Sequence, residues 1–190
     1  MTRRVYWRLF VVLTLLAMVG GAAFTQWRAV AGGVAGSRAE DRPDPCLPGR
    51  AVPIMDSPHV SEAEIGAVRY NSVPPTSGPH LAFVLAPGVY DGPVPDGLTV
   101  HAMEHGHVVV HYAPDAPSSD VDGLRRLARQ YSRDVLLAPY PGLPYRIAVT
   151  AWGRIDTLDT LDEPRISRFV EALRARYNHG WTRPPACSGP

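Results

Sequence analysis

Five of the seven histidines in this 190-residue chain fall between His80 and His111. Within that stretch, His101-Ala102-Met103-Glu104-His105 has the form H-x-x-E-H. Residues four apart on a helix share a face, so His101 and His105 would present two imidazoles one turn apart, as zinc ligation requires. Glu104 beside them suits a third ligand, a carboxylate orienting one of the imidazoles, or a general base for a metal-bound water. His80, at the end of Pro74-Pro75-Thr76-Ser77-Gly78-Pro79-His80, is a further candidate ligand. Neutral imidazole binds Zn, Cu and Ni, and Met55 and Met103 are soft donors that would favour Cu(I).

H-x-x-E-H is also the motif of the inverzincin metalloproteases. Those ligands need a long helix, whereas here Gly106 and a β-branched run follow at once, leaving room for about one turn. A second pattern overlaps the first. His105, His107 and His111 occupy odd positions around Val109, and on a strand they would share one face. The non-metal reading of these residues is that the histidines are surface strand positions or hydrogen-bond anchors for the Pro-rich loop. Glu104 would then be a buried carboxylate accepting backbone N–H bonds from the turn at Thr76–His80.

The elements that must position these groups are read from hydrophobic period. Residues 51–99 are irregular and rich in Pro and Gly, which fix turns and extended backbone. Val108–Tyr112 is a β-branched strand. A helix is expected from about Asp120, capped by Ser118 or Ser119, with Val121, Leu124, Leu127, Ala128 and Tyr131 as its apolar stripe. Val135–Ala138 and Arg146–Trp152 read as strands. A last helix is expected from about Pro164 to Asn178, with Asp162 as cap, Gly180 past its end, and Ile166, Phe169, Val170, Leu173 and Tyr177 buried. Its arginines, Arg165, Arg168, Arg174 and Arg176, form the solvated face. The fold class is therefore α+β, a small sheet of at least three strands packed with two helices after an irregular N-terminal half.

Charge divides the chain further. Residues 1–44 carry +3 and residues 45–190 carry −2, within a total of +1. An acidic domain argues against nucleic acid as a partner. The chain has no Lys, which excludes Schiff-base and P-loop lysine chemistry. Arg3, Arg4 and Arg8 precede the apolar run Leu9–Phe24, and Trp7 and Trp27 would lie about 30 Å apart on a helix, matching a bilayer core. This reads as a transmembrane anchor or signal segment over residues 1–28, a linker over 29–48, and an exported domain over 49–190. The positive-inside rule puts that domain outside the cytoplasm, on a single-pass anchor at the cell membrane. Ala29-Val30-Ala31 offers the competing reading, a secreted protein after signal cleavage. Cys46 and Cys187 are the two cysteines. Outside the cytoplasm they are expected to form a disulfide that closes a loop of more than a hundred residues, worth roughly 5 kcal/mol.

The paired motifs Pro74–His80 and His101–Gly106, followed by a strand, resemble the DUF3105 family, and Thr150-Ala151-Trp152-Gly153-Arg154 is similar to its later segment. The resemblance runs from about His59 to Trp152 and into the last helix. It implies a domain of unknown function and an N-terminal hydrophobic segment, as bacterial members commonly carry. It marks His80, His101, Glu104 and His105 as signature positions. The resulting expectation is an outward-facing domain that binds Cu or Zn through His80, His101 and His105. The alternatives are a metal-dependent hydrolase with Glu104 as base and a metal-free envelope interaction module.

Overall fold

The valine-rich segment after Gly106 forms the central strand of a mixed sheet. A computed structural model of the protein describes residues 46–182. In chain order the elements are β1 (Arg50–Ala51), α1 (Glu62–Ile65), β2 (Gly88–Val89), α2 (Asp96–Glu104), β3 (Val108–Tyr112), α3 (Ser118–Gln130), β4 (Val135–Pro139), β5 (Ile147–Ala151), β6 (Arg154–Leu158) and α4 (Glu163–Leu173). The six strands lie in the order β1-β6-β5-β3-β4-β2. β3 pairs parallel with β4 across the α3 crossover, and β4 pairs parallel with β2. β5 runs antiparallel to β3, and β6 and β1 continue antiparallel beyond it. The described residues form an α+β architecture with six strands and four helices.

Side chains alternate across a strand, and both faces of this sheet are covered. Val108, Val110, Val135, Leu137, Ile147 and Val149 pack beneath Leu124 and Leu127 of α3 and Ile166, Phe169 and Val170 of α4. Val109 and Leu136 face the other way, onto Val100, Ala102 and Met103 of α2 and onto Trp152. Burying both faces makes the central strands almost wholly apolar.

Several expectations are corrected. The segment carrying H-x-x-E-H is the end of a nine-residue helix, not a single turn. α2 is enclosed by packing on most sides, so it has no amphipathic stripe, and Pro95 and Gly106 bound it. Gly106, at φ 87°, closes it: its N–H donates to Met103 O (3.0 Å) and His107 N–H donates to Ala102 O (3.0 Å). This paired closure needs a left-handed residue just past the helix. α3 begins at Ser118, earlier than Asp120. The last helix stops at Leu173, because Arg174 turns extended (ψ 138°) and Ala175 is left-handed (φ 53°). Tyr177 and Gly180 therefore lie beyond it. Tyr177 instead stacks on Trp152, with ring centroids 4.6 Å apart. Arg165 and Arg168 are solvated as expected, but Arg176 is buried. The Asp162 cap is present, its side chain accepting from Arg165 N at 2.9 Å.

No helix among the described residues is long and apolar enough to cross a membrane. The expected anchor or signal at residues 1–28 and nearly all of the linker lie outside the described residues. Cys46 carries no free thiol, and its expected partner Cys187 lies outside the described residues.

Candidate metal centre

Each expected site residue is carried by a local structure that fixes its direction. The Pro74–Gly78 loop is buried. It is fastened by Gly153 N–H to Thr76 O (3.0 Å), by Met55 N–H to Ser77 Oγ (3.0 Å) and by Tyr70 OH to Pro79 O (2.7 Å). His80 leaves this loop and pairs with the segment at His59 through a parallel bridge. Val60 N–H donates to His80 O (2.8 Å), and His80 N–H donates to Pro58 O (3.1 Å). That bridge brings the His59 ring to 4.9 Å from the His80 ring. His101 and Glu104 project from the last turn of α2, and His105 is its C-terminal cap.

Two backbone carbonyls set the tautomers. A carbonyl only accepts, so His80 Nδ1–H donates to Gly78 O (2.9 Å) and His101 Nδ1–H donates to Leu81 O (2.6 Å). Each ring then turns its Nε2 into the cluster, the arrangement seen when a metal ligand is oriented by a carbonyl partner. Burial, together with the nearby His80, His105 and His59, holds the His101 imidazole below its ordinary pKa, with the Leu81 carbonyl pulling the other way. A neutral His101 has a bare Nε2. It lies 2.9 Å from His105 Nε2, so His105 donates to it.

Glu104 faces His80: Oε2 is 3.0 Å from His80 Nε2. Both atoms are buried, and the contact lacks the alignment of a hydrogen bond. His179, from the segment after α4, stands 3.4 Å from the same oxygen through Nδ1, and its backbone N–H donates to Glu104 O (3.2 Å). Glu104 is thus held between imidazoles. The backbone N–H bonds expected for it from the Thr76–His80 turn are replaced by the side chain of His80.

Two ligand groups result, and His101 belongs to both. Ligand atoms of His59, His80 and His101 lie within 4.8 Å of one another, and so do those of His101, Glu104 and His105. A tetrahedral ion with bonds of 2.0–2.1 Å places its ligands about 3.4 Å apart, so small side-chain rotations suffice for either. The donors are nitrogen and carboxylate oxygen, which suit zinc or copper. His80, His101 and Glu104 are buried, whereas His59, His105 and His179 form an exposed rim.

The remaining histidines stand apart. His105, His107 and His111 do not share a strand face: His105 ends α2, His107 lies in the turn, and only His111 is on β3. His111 is buried edge-on against Tyr140, with ring centroids 5.0 Å apart. Met103 is fully buried in the apolar cluster around α2, so its sulfur serves packing.

His59 and His179 were missed from sequence. His59 arrives through a bridge to a residue 21 positions later, and neither lies in a motif.

This α+β domain, with its loop-anchored histidine and H-x-x-E-H helix end, falls within a described family. A family model described as "Protein of unknown function (DUF3105)" matches residues 59–188, and the chain belongs to that family. No curated protein and no solved structure matches the chain.

Proposed function

We propose that this domain binds one transition-metal ion, copper or zinc, at His80 and His101, with His59 and Glu104 completing the ligand set and His105 at the rim. One observation carries this reading. With Nδ1 of His80 donating to Gly78 O, a neutral His80 turns a bare nitrogen toward a carboxylate oxygen at 3.0 Å. Two buried acceptors at that distance repel unless a cation or a proton lies between them. A bound metal would satisfy His80 Nε2, Glu104 Oε2 and His101 Nε2 together.

The same reading places the domain outside the cytoplasm on the N-terminal anchor, closed by a Cys46–Cys187 disulfide. Its role there is binding, handling or sensing metal at the envelope. Glu104 is engaged by His80 and His179, which supports a ligand or orienting role over that of a free general base.

A second reading has its own support. A proton shared by His80 and Glu104 would let the cluster act without metal, as a clasp that pins the Pro74–Pro79 loop to α2.

Metal analysis of the purified full chain, wild type beside His101→Ala, separates the two. About one Cu or Zn per chain in the wild type and none in the variant supports the metal site. No metal in either, and no uptake on addition of Cu(II) or Zn(II), leaves the clasp.

A further inference from the structure

A cleft of about 580 Å³ lies away from the histidines, at the β1 and β6 end of the sheet. Arg50, Arg165 and Arg168 line it together with Tyr145, Asp156 and Thr157. Its size falls within the range of small-molecule sites.

The wall of this cleft is built rather than incidental. Buried Arg154 donates through Nη1 to Leu47 O and Gly49 O, both at 2.8 Å. Gly49 sits at φ 74°, where an added Cβ would come within 2.7 Å of the Phe169 ring and 2.8 Å of Ile155 O. The chain entering β1 is therefore clamped against β6 and α4, and Arg50 follows at a fixed position. On the opposite wall Arg165 is held bidentately by Asp156, through Nε at 2.8 Å and Nη2 at 2.6 Å.

Charge in the cleft is not balanced. Asp156 neutralises one guanidinium, while Arg50 and Arg168 make no ion pair among the described residues. The surplus of +2 stands in a region of the chain, residues 45–190, that is −2 overall. Guanidinium forks match phosphate and carboxylate geometry. Tyr145 and Pro48, both half-buried, offer an apolar flank beside them.

We infer that this cleft binds a phosphate ester, with Arg50 and Arg168 on the phosphate, Arg165 as a preset neighbour, and the Tyr145 side receiving an apolar or ring substituent. The phosphate belongs either to a soluble ester or to the headgroup of an anionic phospholipid. The site is independent of the metal centre.

The test is calorimetric titration of the purified full chain with phenyl phosphate, with benzyl alcohol as the uncharged control, and with water-soluble short-chain phosphatidylglycerol. Saturable 1:1 binding of either phosphate probe is expected, weakening as salt rises. Arg50→Gln/Arg168→Gln should lower its affinity by about tenfold or more, since charged hydrogen bonds are lost. His101→Ala should leave it unchanged. Preference for phenyl phosphate assigns a soluble ester, and preference for phosphatidylglycerol assigns a lipid headgroup. Both arginines are exposed and unpaired, so the variant should keep the wild-type melting temperature. Absence of binding by both phosphate probes overturns the inference, as does binding that a folded double variant retains in full.

Discussion

His80 Nε2 and Glu104 Oε2 meet at 3.0 Å inside the domain, a loop residue against a helix residue, with His179 reaching the same oxygen from the C-terminal side. The imidazole is directed by Gly78 O and the carboxylate by the end of α2. The pairing therefore links loop, helix and C-terminal segment at one atom, and the centre's ligands cannot be separated from its architecture.

Glu104→Gln tests the charge of that atom at nearly constant volume. The amide can donate to His80 Nε2, so the metal-free fold should be preserved and the melting temperature should change little. Affinity for Zn(II) or Cu(II), measured by competition with a chromophoric chelator, should fall by about 10–100-fold, the range for losing a carboxylate that binds or orients at a metal site. Unchanged affinity would remove Glu104 from the centre.

His111 carries a distinct pH prediction. It sits on β3 between Ala138 of β4 and Ala148 of β5, whose small side chains leave room for the ring. Both ring nitrogens are buried without hydrogen-bond partners, and burial lowers its pKa from 6.5 to about 3. The folded protein thus keeps His111 neutral where the unfolded chain protonates it. The unfolded state gains from proton uptake as pH falls from 6.5 toward 3, so native stability drops across that window. The contribution between pH 7 and pH 4 is roughly 3 kcal/mol. Denaturant unfolding at these two pH values should show His111→Phe losing less stability than wild type by about that amount. Equal losses would mean that His111 is solvated or partnered.

The legible parts of the fold carry a local pattern: β3, β4 and β5 are short apolar runs buried on both faces, and the helices α3 and α4 each meet solvent on one side. α3 and α4 have polar outer faces, so their stripes stood out, and Asp162 and Pro164 marked the start of α4. α2 is enclosed on most sides, and an enclosed helix has no stripe to read. Its H-x-x-E-H end was visible as chemistry but not as the end of nine helical residues. β6 was missed because Arg154-Ile155-Asp156-Thr157-Leu158 mixes charge with branched residues. Gly153, at φ 66°, was the available sign of a hairpin with β5. His80, His101, Glu104 and His105 stood out because they lie in two motifs. His59 and His179 are delivered by a backbone bridge and a returning segment, for which local sequence holds no period.

Gly106 tests how the helix end supports the centre. An added Cβ would come within 2.7 Å of Tyr177 O and 2.9 Å of Ala175 Cα, at a left-handed φ that alanine resists. Ala175 N–H also donates to Gly106 O at 2.8 Å, fastening the segment that carries His179. Gly106→Ala should cost about 2 kcal/mol or more in urea unfolding. A variant as stable as wild type would show that the segment yields easily.

The two ligand groups make opposite predictions for the rim histidines, and the tautomers decide between them. His101 Nε2 accepts from His105 in the metal-free arrangement, so a metal must displace His105 to reach that nitrogen. To bind as well, His105 would have to give up the Nε2 proton that it donates, whereas His59, with ring centroids 4.9 and 5.3 Å from His80 and His101, makes no side-chain hydrogen bond among the described residues that has to be broken. The ion is therefore expected among His59, His80 and His101, with Glu104 adjoining. His101→Ala should abolish Zn(II) binding, and His59→Ala should weaken it by about tenfold or more, as loss of one ligand removes over 1.4 kcal/mol. His105→Ala should leave affinity within about fivefold, because it removes only a hydrogen bond of about 1 kcal/mol or less that the ion must break. The reverse ranking, His105→Ala severe and His59→Ala mild, would place the ion with His101, Glu104 and His105 instead.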